Sequence, residues 1–197
     1  MSEKKRILID GMTENPGGLE SFIMNLVRNM DKTRWTFEFV VTDRPVAYEN
    51  ELETIGSIHR ITPRNQSPRK NKKEIQELFR KEKYDGLWFN KTTLSNIEML
   101  KAAKKYKVPV RICHSHAAAN LGSSLTLLLH NLNRKKAIRL STCLAACSEA
   151  AAGWFYGKDK NKATIVKNAV ALEKYTYTPE KADKIREELG LNGFFTV

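Results

Sequence analysis

Cysteine is scarce in this 197-residue sequence, which contains only Cys113, Cys143 and Cys147. An odd number of cysteines without paired spacing excludes a disulfide-stabilised secreted scaffold. Long apolar runs are also missing, since none approaches the roughly 20 residues that a membrane-spanning helix needs. The N-terminal stretch MSEKKRILIDG is basic, but its apolar run is too short for a secretory signal. We therefore expect a cytoplasmic protein.

Acidic residues are few relative to basic ones, with 22 Asp and Glu against 34 Lys and Arg. The net charge of +12 favours an anionic partner, such as a nucleotide, a phosphosugar, a nucleic acid or an acidic lipid surface. Solubility alone is an equally good explanation of this charge. Aromatic residues are not interleaved with the basic clusters, as they are at surfaces that bind single-stranded nucleic acid. We therefore expect no nucleic-acid partner, and an anionic membrane surface stays open.

Short apolar runs alternate with helical patterns along most of the chain. RILID, at residues 6–10, predicts a buried strand, and the apolar residues at 19, 22, 23, 26, 27 and 30 mark one face of a helix. The other predicted strands are 35–42, 57–62, 84–90, 108–116, 142–148 and 163–170, and the other predicted helices are 72–82, 95–106, 121–140 and 149–156, with Ser67-Pro68 marking a helix start. This alternation predicts an α/β fold: a Rossmann-like parallel sheet with helices on both faces.

The C-terminal segment differs from the rest of the sequence. A helix is predicted from Pro179 to Leu189, with Gly190 placed to stop it, and FFTV then begins another strand. We expect residues 1–178 to form the Rossmann-like domain. Residues 179–197 would form a helical linker and the first strand of a second domain, which this sequence does not contain.

Polar residues stand at the ends of five of the predicted strands. They are the loop from Gly11 to Gly18, Asn90, the His114-Ser115-His116 segment, Ser148-Glu149 and Lys167-Asn168. Ligands of doubly wound sheets bind beyond the carboxyl ends of the strands. We therefore expect these five clusters to converge on one rim, with Asn90, Ser148 and Asn168 among the substrate-binding residues.

Gly17 and Gly18 stand directly before the first predicted helix. Free N–H groups at a helix N-terminus suit a phosphate, and missing side chains would let the phosphate approach. The spacing matches neither the G-x-G-x-x-G fingerprint nor a Walker loop. A simple turn that lets the helix pack on the sheet is the alternative.

The HSH segment places His114 and His116 two residues apart at a strand end, where both side chains would face the same way. A metal site needs at least one further ligand, and the sequence offers no evident one. Hydrogen bonding to a polar ligand is the favoured interpretation. Two ordinary loop histidines are the alternative.

The helix predicted over residues 121–140 is apolar early and basic late, with Arg134, Lys135, Lys136 and Arg139 near its end. A core helix with a solvated basic end is the favoured interpretation. An amphipathic helix on an anionic membrane surface is the alternative, and the basic segment from residue 63 to 73 would suit the same surface.

Four segments in order resemble one enzyme family. GGLESFIMNLVRNM resembles the glycine-glycine-x-glutamate opening of retaining glycosyltransferases of the GT-B class, family four, and RICHSHAAAN resembles a segment of the capsule and exopolysaccharide members. LAACSEAAAGWFYG and IVKNAVALEKY are similar to the two segments that close the N-terminal domain of these enzymes. The matches span Gly17 to Tyr175.

The resemblance implies the N-terminal, acceptor-side domain of a two-domain enzyme, or one half of a GT-B fold. It implies a nucleotide-sugar donor and a saccharide acceptor, lipid-linked in the capsule type, which would bring the protein to the inner face of the membrane. Gly17 and Gly18 match the loop near the donor diphosphate, and His114 matches the catalytic histidine that contacts the transferred sugar. His116 is its substrate-binding partner. No metal or other cofactor is implied, and this chain alone is expected to be inactive.

The sequence departs from the family pattern at two points. Lys167 and Ala169 stand where many relatives have proline and glycine, although the alanine occurs in capsule-type members. The glutamate-x7-glutamate pair of the donor domain is missing. The pairs Glu74/Glu82 and Glu180/Glu188 have its spacing, but both lie in charged helical stretches where two turns separate such residues by chance.

Two other functions are compatible with parts of the sequence. A dinucleotide-binding oxidoreductase domain would use Asp43, after the second strand, to hold a ribose, but its glycine spacing would be wrong. A non-catalytic module that binds nucleic acid or a membrane surface would follow from the charge of +12 alone.

Overall fold

The computed structural model describes residues 3–195 and contains one sheet of seven parallel strands. Its strand order is β3-β2-β1-β4-β5-β6-β7. The strands are β1 Lys5–Asp10, β2 Trp35–Thr42, β3 Gly56–Ile61, β4 Gly86–Lys91, β5 Val110–Ser115, β6 Cys143–Ala146 and β7 Ala163–Ile165. The order runs outward in both directions from the pair β1 and β4, as in a Rossmann fold. The predicted fold class is therefore confirmed.

Seven helices connect and follow the strands in the described part of the chain. They are α1 Gly18–Asn29, α2 Glu49–Ile55, α3 Pro68–Lys81, α4 Glu98–Lys105, α5 Ser124–Leu140, α6 Glu149–Tyr156 and α7 Pro179–Glu188, with 3-10 turns over Gly157–Lys162 and Leu172–Tyr175. Serine caps three of these helices. The hydroxyl of Ser67, Ser123 or Ser148 accepts a hydrogen bond from the third amide of α3, α5 or α6.

Both faces of the sheet are buried, which explains why its strands read as nearly continuous apolar runs. Consecutive side chains of a strand point to opposite faces, so Leu8 packs in the cluster with α3 to α6 and Ile9 packs in the cluster with α1 and α2. In β4, Phe89 joins the first cluster and Trp88 joins the second.

The structure differs from the predicted elements at several bounds, such as the start of α4 at Glu98 rather than Ser95, and three differences have a local explanation. The predicted strand 163–170 ends at Ile165, because its partner β6 ends at Ala146, the residue opposite Ile165. Helix α5 begins at Ser124 rather than at Leu121, since Ser123 provides its cap. Helix α2 was not predicted, because it has only 7 residues and buries only Leu52.

The C-terminal helix agrees with its prediction, since α7 spans Pro179–Glu188 and Gly190 adopts a positive φ of 65° just after it. None of its residues is buried. Phe194 and Phe195 lie in no helix or strand, and the last two residues of the predicted strand FFTV lie outside the described residues. The boundary at residue 178 stays a prediction.

A buried carboxylate links the first half of the sheet. Glu38 of β2 accepts hydrogen bonds from Arg6 Nε of β1 at 2.9 Å, His59 Nε2 of β3 at 2.6 Å and the Tyr84 hydroxyl at 3.0 Å. Burial alone raises the pKa of Glu38, but the hydrogen bonds from His59, Arg6 and Tyr84 outweigh it and lower the pKa to about 2. Burial also raises the pKa of Tyr84 above its ordinary value, so its hydroxyl remains a donor.

We expect Glu38→Gln to lower the free energy of unfolding at neutral pH by about 2 kcal/mol, because it removes the negative charge beside Arg6 and replaces one of the two acceptor oxygens by an NH2 group that can only donate. The folded-state pKa lies below the ordinary value of 4.5, so the wild-type advantage is present above pH 4.5 and is lost as the pH falls toward about 2. Urea unfolding at a series of pH values measures both effects.

Glu77→Gln is the matched control. Glu77 forms a long i,i+4 contact with Lys73 and is 41% exposed, so its substitution should change stability by less than about 0.5 kcal/mol. Equal effects of the two substitutions, or a Glu38 effect that persists unchanged to low pH, would contradict this account.

Candidate functional site

A cleft of about 710 Å³ lies beyond the carboxyl ends of β1 and β4, where the strand order changes direction. Loops leave these two neighbouring strands toward opposite sides, which opens a crevice at this point. The polar residues that line it include Asp10, Thr13, Asn15, Glu20, Arg64, Asn71, Asn90, Lys91, Asn96, His116 and Asn168, together with Gly11 and Gly18.

Gly11 forms the turn out of β1 at the floor of this cleft. Its φ of +142° is rarely adopted by other residues, and a Cβ here would lie 2.8 Å from the Asn90 Cβ and 2.9 Å from the Asn90 carbonyl oxygen. The glycine therefore allows the end of β1 to lie directly against the end of β4.

Glu20 holds the loop from Gly11 to Gly18 in place from within. Its buried carboxylate accepts a hydrogen bond from the Gly17 amide at 3.2 Å and another from the Thr13 hydroxyl. The first bond is the backbone half of a capping box, in which the third helical residue reaches back to the residue before the helix. Glu20 therefore holds the loop at Thr13, near its start, and at Gly17, near its end.

The structure gives no conformational or packing reason for glycine at position 18. Gly17 has an extended backbone with φ −86°, and a Cβ on it would meet only Glu20 and Asn15, with the Glu20 carboxylate at 3.0 Å. A Cβ on Gly18 would meet no heavy atom within 4 Å. Gly18 lines the cleft, and the amides of Gly18 and Leu19 begin α1 with no carbonyl one turn earlier. The structure therefore does not support the alternative that glycine is needed at position 18 for a turn that packs the helix on the sheet.

An ion pair crosses the junction of β1 and β4. Lys91 Nζ lies 2.7 Å from Asp10 Oδ1, and both residues line the cleft. Asp10 is 10% exposed and Lys91 is 30% exposed at the side chain, so the cation is the member of the pair that solvent reaches more. The ammonium group of Lys91 and the N-terminus of α1 therefore line the same cleft.

Asn90 sets the tautomer of His116. The Asn90 amide nitrogen donates to the Trp88 carbonyl at 3.2 Å, which turns the Asn90 amide oxygen toward His116 Nε2 at 3.0 Å. That oxygen can only accept, so His116 carries its proton on Nε2 and keeps a lone pair on Nδ1. Burial lowers the pKa of His116 to about 4, so the ring is neutral near pH 7.

His114 has the same tautomer for a different reason. The indole nitrogen of Trp88 can only donate, and it lies 3.2 Å from His114 Nδ1, so the His114 proton is on Nε2. That buried N–H has no hydrogen-bond partner among residues 3–195. Burial, and then the neighbouring His116, lower the pKa of His114 to about 3. The two rings lie 4.2 Å apart, which places them side by side as their spacing predicts.

The structure brings only some of the predicted site residues to the cleft. Gly18, Asn90, His116 and Asn168 line it, and Gly17 adjoins it through the loop. His114 instead borders a mainly apolar groove of about 650 Å³ beside α1. The Ser148 hydroxyl caps α6 at 3.1 Å from the Ala151 amide, and its neighbour Cys147 lines the cleft in its place.

Several cleft residues were missed by the sequence analysis. Asp10 and Lys91 end the two central strands, but the sequence does not show which strands are neighbours. Glu20 carries a recognisable signal, since it stands three residues after the helix cap. Within residues 3–195, no group of three or more His, Cys, Asp or Glu side chains is placed to hold a metal ion. The independence from metals and cofactors stays a prediction.

The two histidines should make stability fall on mild acidification. Their folded-state pKa values of about 3 and about 4 lie below the ordinary 6.5, so the unfolded chain binds more protons between pH 6.5 and 4. Relative to a His114→Gln/His116→Gln variant, we expect the wild type to lose about 1 kcal/mol per histidine for each pH unit in this range. Urea titrations of both proteins test this, and parallel pH curves would contradict it.

Comparison with known proteins gives one family match and several relatives. Residues 16–174 match the model of Glycosyltransferase Family 4. The protein named "Putative glycosyltransferase EpsF" of Bacillus subtilis (strain 168) is 27% identical over 203 residues, which cover 96% of this chain and 52% of EpsF.

Solved structures show the same fold at low sequence identity. The glycosyltransferase from Rickettsia africae ESF-5 has a TM-score of 0.69 and 17% identity, covering 98% of this chain and 51% of that one. Anabaena Alr3699/HepE, solved in complex with UDP-glucose, has a TM-score of 0.66 and 18% identity, covering 95% of this chain and 50% of that one. The chain thus spans about half the length of these relatives and has the fold of one GT-B domain. Because the family model matches most of its length, the chain belongs to Glycosyltransferase Family 4.

Proposed function

We propose that this chain is the acceptor-side domain of a retaining glycosyltransferase, which transfers a sugar from a nucleotide-sugar donor to a saccharide acceptor. The family match supports the transfer of a sugar, and HepE, a structural relative, is described in complex with UDP and UDP-glucose. The resemblance of RICHSHAAAN to capsule and exopolysaccharide enzymes supports a lipid-linked acceptor, a role in polysaccharide biosynthesis and a cytoplasmic location.

The open space at Gly18 is the observation that carries this proposal. A donor diphosphate placed there would meet the free amides of Gly18 and Leu19 and the positive end of the α1 dipole. Lys91 lies on the same cleft, where its ammonium group is paired with Asp10 and can also donate to a phosphate. These groups supply charge compensation without a metal, which is why we propose a metal-independent reaction.

The two histidines have complementary hydrogen-bonding capacity in this proposal. Neutral His116 accepts a hydrogen bond from a sugar hydroxyl at Nδ1, since its Nε2–H already donates to the amide oxygen of Asn90. His114 borders the neighbouring groove rather than the cleft, so its role as hydrogen-bond donor to the transferred sugar rests on the family resemblance and on its buried Nε2–H, which has no partner in the described chain. A donor binding site on a second domain would complete the cleft, so reacting groups would be positioned only when both halves are present.

The oxidoreductase alternative loses its supporting feature. Asp43, which would have held a ribose, is exposed beyond the end of β2 and lies outside the cleft lining. The family match also assigns the chain to glycosyltransferases.

Gly18→Ala should impair donor binding without affecting the fold. The added methyl group meets no protein atom within 4 Å but occupies the space beside the free amides. In a protein that joins this chain to a donor-binding domain, we expect the KM for a UDP-sugar to rise about tenfold, which corresponds to about 1.4 kcal/mol. Steady-state kinetics and thermal unfolding measure the two effects.

Gly153→Ala in α6 is the matched control, because a Cβ there also meets nothing within 4 Å. This variant should keep the wild-type KM and be as stable or slightly more stable, since alanine favours helix over glycine. An unchanged KM in Gly18→Ala would remove the proposed diphosphate site.

The overall proposal is tested by comparing sugar transfer by the 197 residues alone with transfer by a polypeptide that carries both domains. We expect turnover only from the two-domain protein, with a difference of at least about a thousandfold because half of the reacting groups are otherwise unpositioned. Comparable turnover by the isolated chain would refute the split site.

A further inference from the structure

Helix α5 and the short segment before it present a row of exposed leucines. Leu121, Leu125, Leu128 and Leu132 are 76%, 63%, 55% and 68% exposed. Their spacing of four, three and four residues places the three helical members on one face, and we call these four residues the leucine stripe. The opposite face of α5 is buried through His130 and Ala137. The stripe is therefore an apolar surface that the described chain leaves uncovered.

The same face of α5 becomes basic toward its end. Lys135 and Arg139 continue the spacing by three and four residues, and Lys136 stands beside them. All three are exposed, and within residues 3–195 none of them forms an ion pair or a side-chain hydrogen bond. The residues from 99 to 148 include no aspartate or glutamate. No acidic side chain of α5 therefore offsets this charge.

The neighbouring helices extend the basic surface. Lys136 lines a groove with Lys72 of α3 and with Lys101 and Lys105 of α4. One acidic residue, Glu98, lines that groove, and it is already paired with Lys101. The inner face of α5 packs on the domain, so only its outer face is available to a partner, and that face combines apolar residues with the cations Lys135, Lys136 and Arg139, as surfaces that contact anionic bilayers do.

We propose that the leucine stripe and the basic end of α5 bind the surface of an anionic lipid bilayer. Leucine side chains would enter the boundary between headgroups and acyl chains, and Lys135, Lys136 and Arg139 would contact the lipid phosphates. This inference is independent of the proposed transfer reaction. The part of the chain that the structure describes has no helix long and apolar enough to span the bilayer, so the contact proposed is peripheral.

A second copy of this chain is a poorer partner for the same face. Each copy carries a net charge of +12, which opposes association. A stable interface also buries about 800 Å² on each partner, which is more than four leucines of a single stripe provide.

Flotation with lipid vesicles tests the apolar part of the proposal. The 197-residue chain should bind vesicles that contain phosphatidylglycerol and phosphatidylcholine, and bind pure phosphatidylcholine vesicles at least tenfold less. A Leu125→Ser/Leu128→Ser/Leu132→Ser variant should partition at least tenfold less onto the anionic vesicles at an unchanged thermal midpoint. Ile185→Ser/Leu189→Ser is the control, because Ile185 in α7 and Leu189 just after it are similarly exposed at 54% and 65%.

A pair of charge variants tests the basic part. Lys135→Glu/Arg139→Glu should reduce binding to anionic vesicles at least tenfold. Added salt should weaken the binding of the wild-type protein toward that of this variant. Lys81→Glu/Lys83→Glu makes the same change in net charge at exposed residues near the end of α3, and it should reduce binding less than threefold.

Several results would overturn the proposal. The proposal fails if the leucine variant binds vesicles as tightly as the wild type. It also fails if the two charge variants lose binding equally, because the position of the charges on α5 would then not matter. A loss confined to the α7 control would move the surface elsewhere. Sedimentation that shows a dimer of the wild-type chain, dissolved by the leucine substitutions, would assign the stripe to self-association instead.

Discussion

The contact between the ends of β1 and β4 determines the geometry of the whole site. Gly11 lets the chain leave β1 directly against Asn90, where any side chain would collide with the backbone of β4. Asn90, held at that position, fixes the ring and the tautomer of His116. The next residue, Lys91, pairs with Asp10 across the same junction. Backbone packing at one glycine therefore places a neutral hydrogen-bonding group and a cation on one cleft.

The buried carboxylates of this domain are compensated locally, so most of its excess positive charge lies at the surface, whereas the buried Arg111 donates to backbone carbonyls. Glu38 is surrounded by Arg6, His59 and Tyr84, and Asp10 is matched by Lys91. Among residues 3–195 Glu20 has no cation partner, but it accepts hydrogen bonds from an amide and a hydroxyl at the positive end of α1. Desolvation of a charge is costly unless it is compensated, so these partners are required. The net charge of +12 consequently resides mostly on exposed lysines and arginines, including those of α5.

The sequence predicts the sheet and part of the rim, because both depend on local patterns. Apolar runs mark the strands, and polar residues such as Asn90 and His116 stand at or just beyond their ends. The neighbour relations of strands are not local, so the pairing of Asp10 with Lys91 could not be foreseen. The direction of a side chain is also not visible in the sequence. Ser148 is a polar residue at a strand end, as a site residue would be, but its hydroxyl caps a helix. His114 lies within strand β5, two residues before His116, and it borders a different groove.

The connection between β5 and α5 gives the cleft and the leucine stripe a fixed relation. His116 follows β5, and Leu121 lies shortly before α5. Only four residues separate them, and both line the cleft. Leu121 is also the first member of the stripe, so the apolar surface begins at the mouth of the cleft. An amphipathic acceptor has a sugar that needs polar contacts and a lipid that needs an apolar phase. If the stripe lies in a bilayer, this short segment holds the cleft at the membrane surface, where such an acceptor presents its sugar without leaving the lipid.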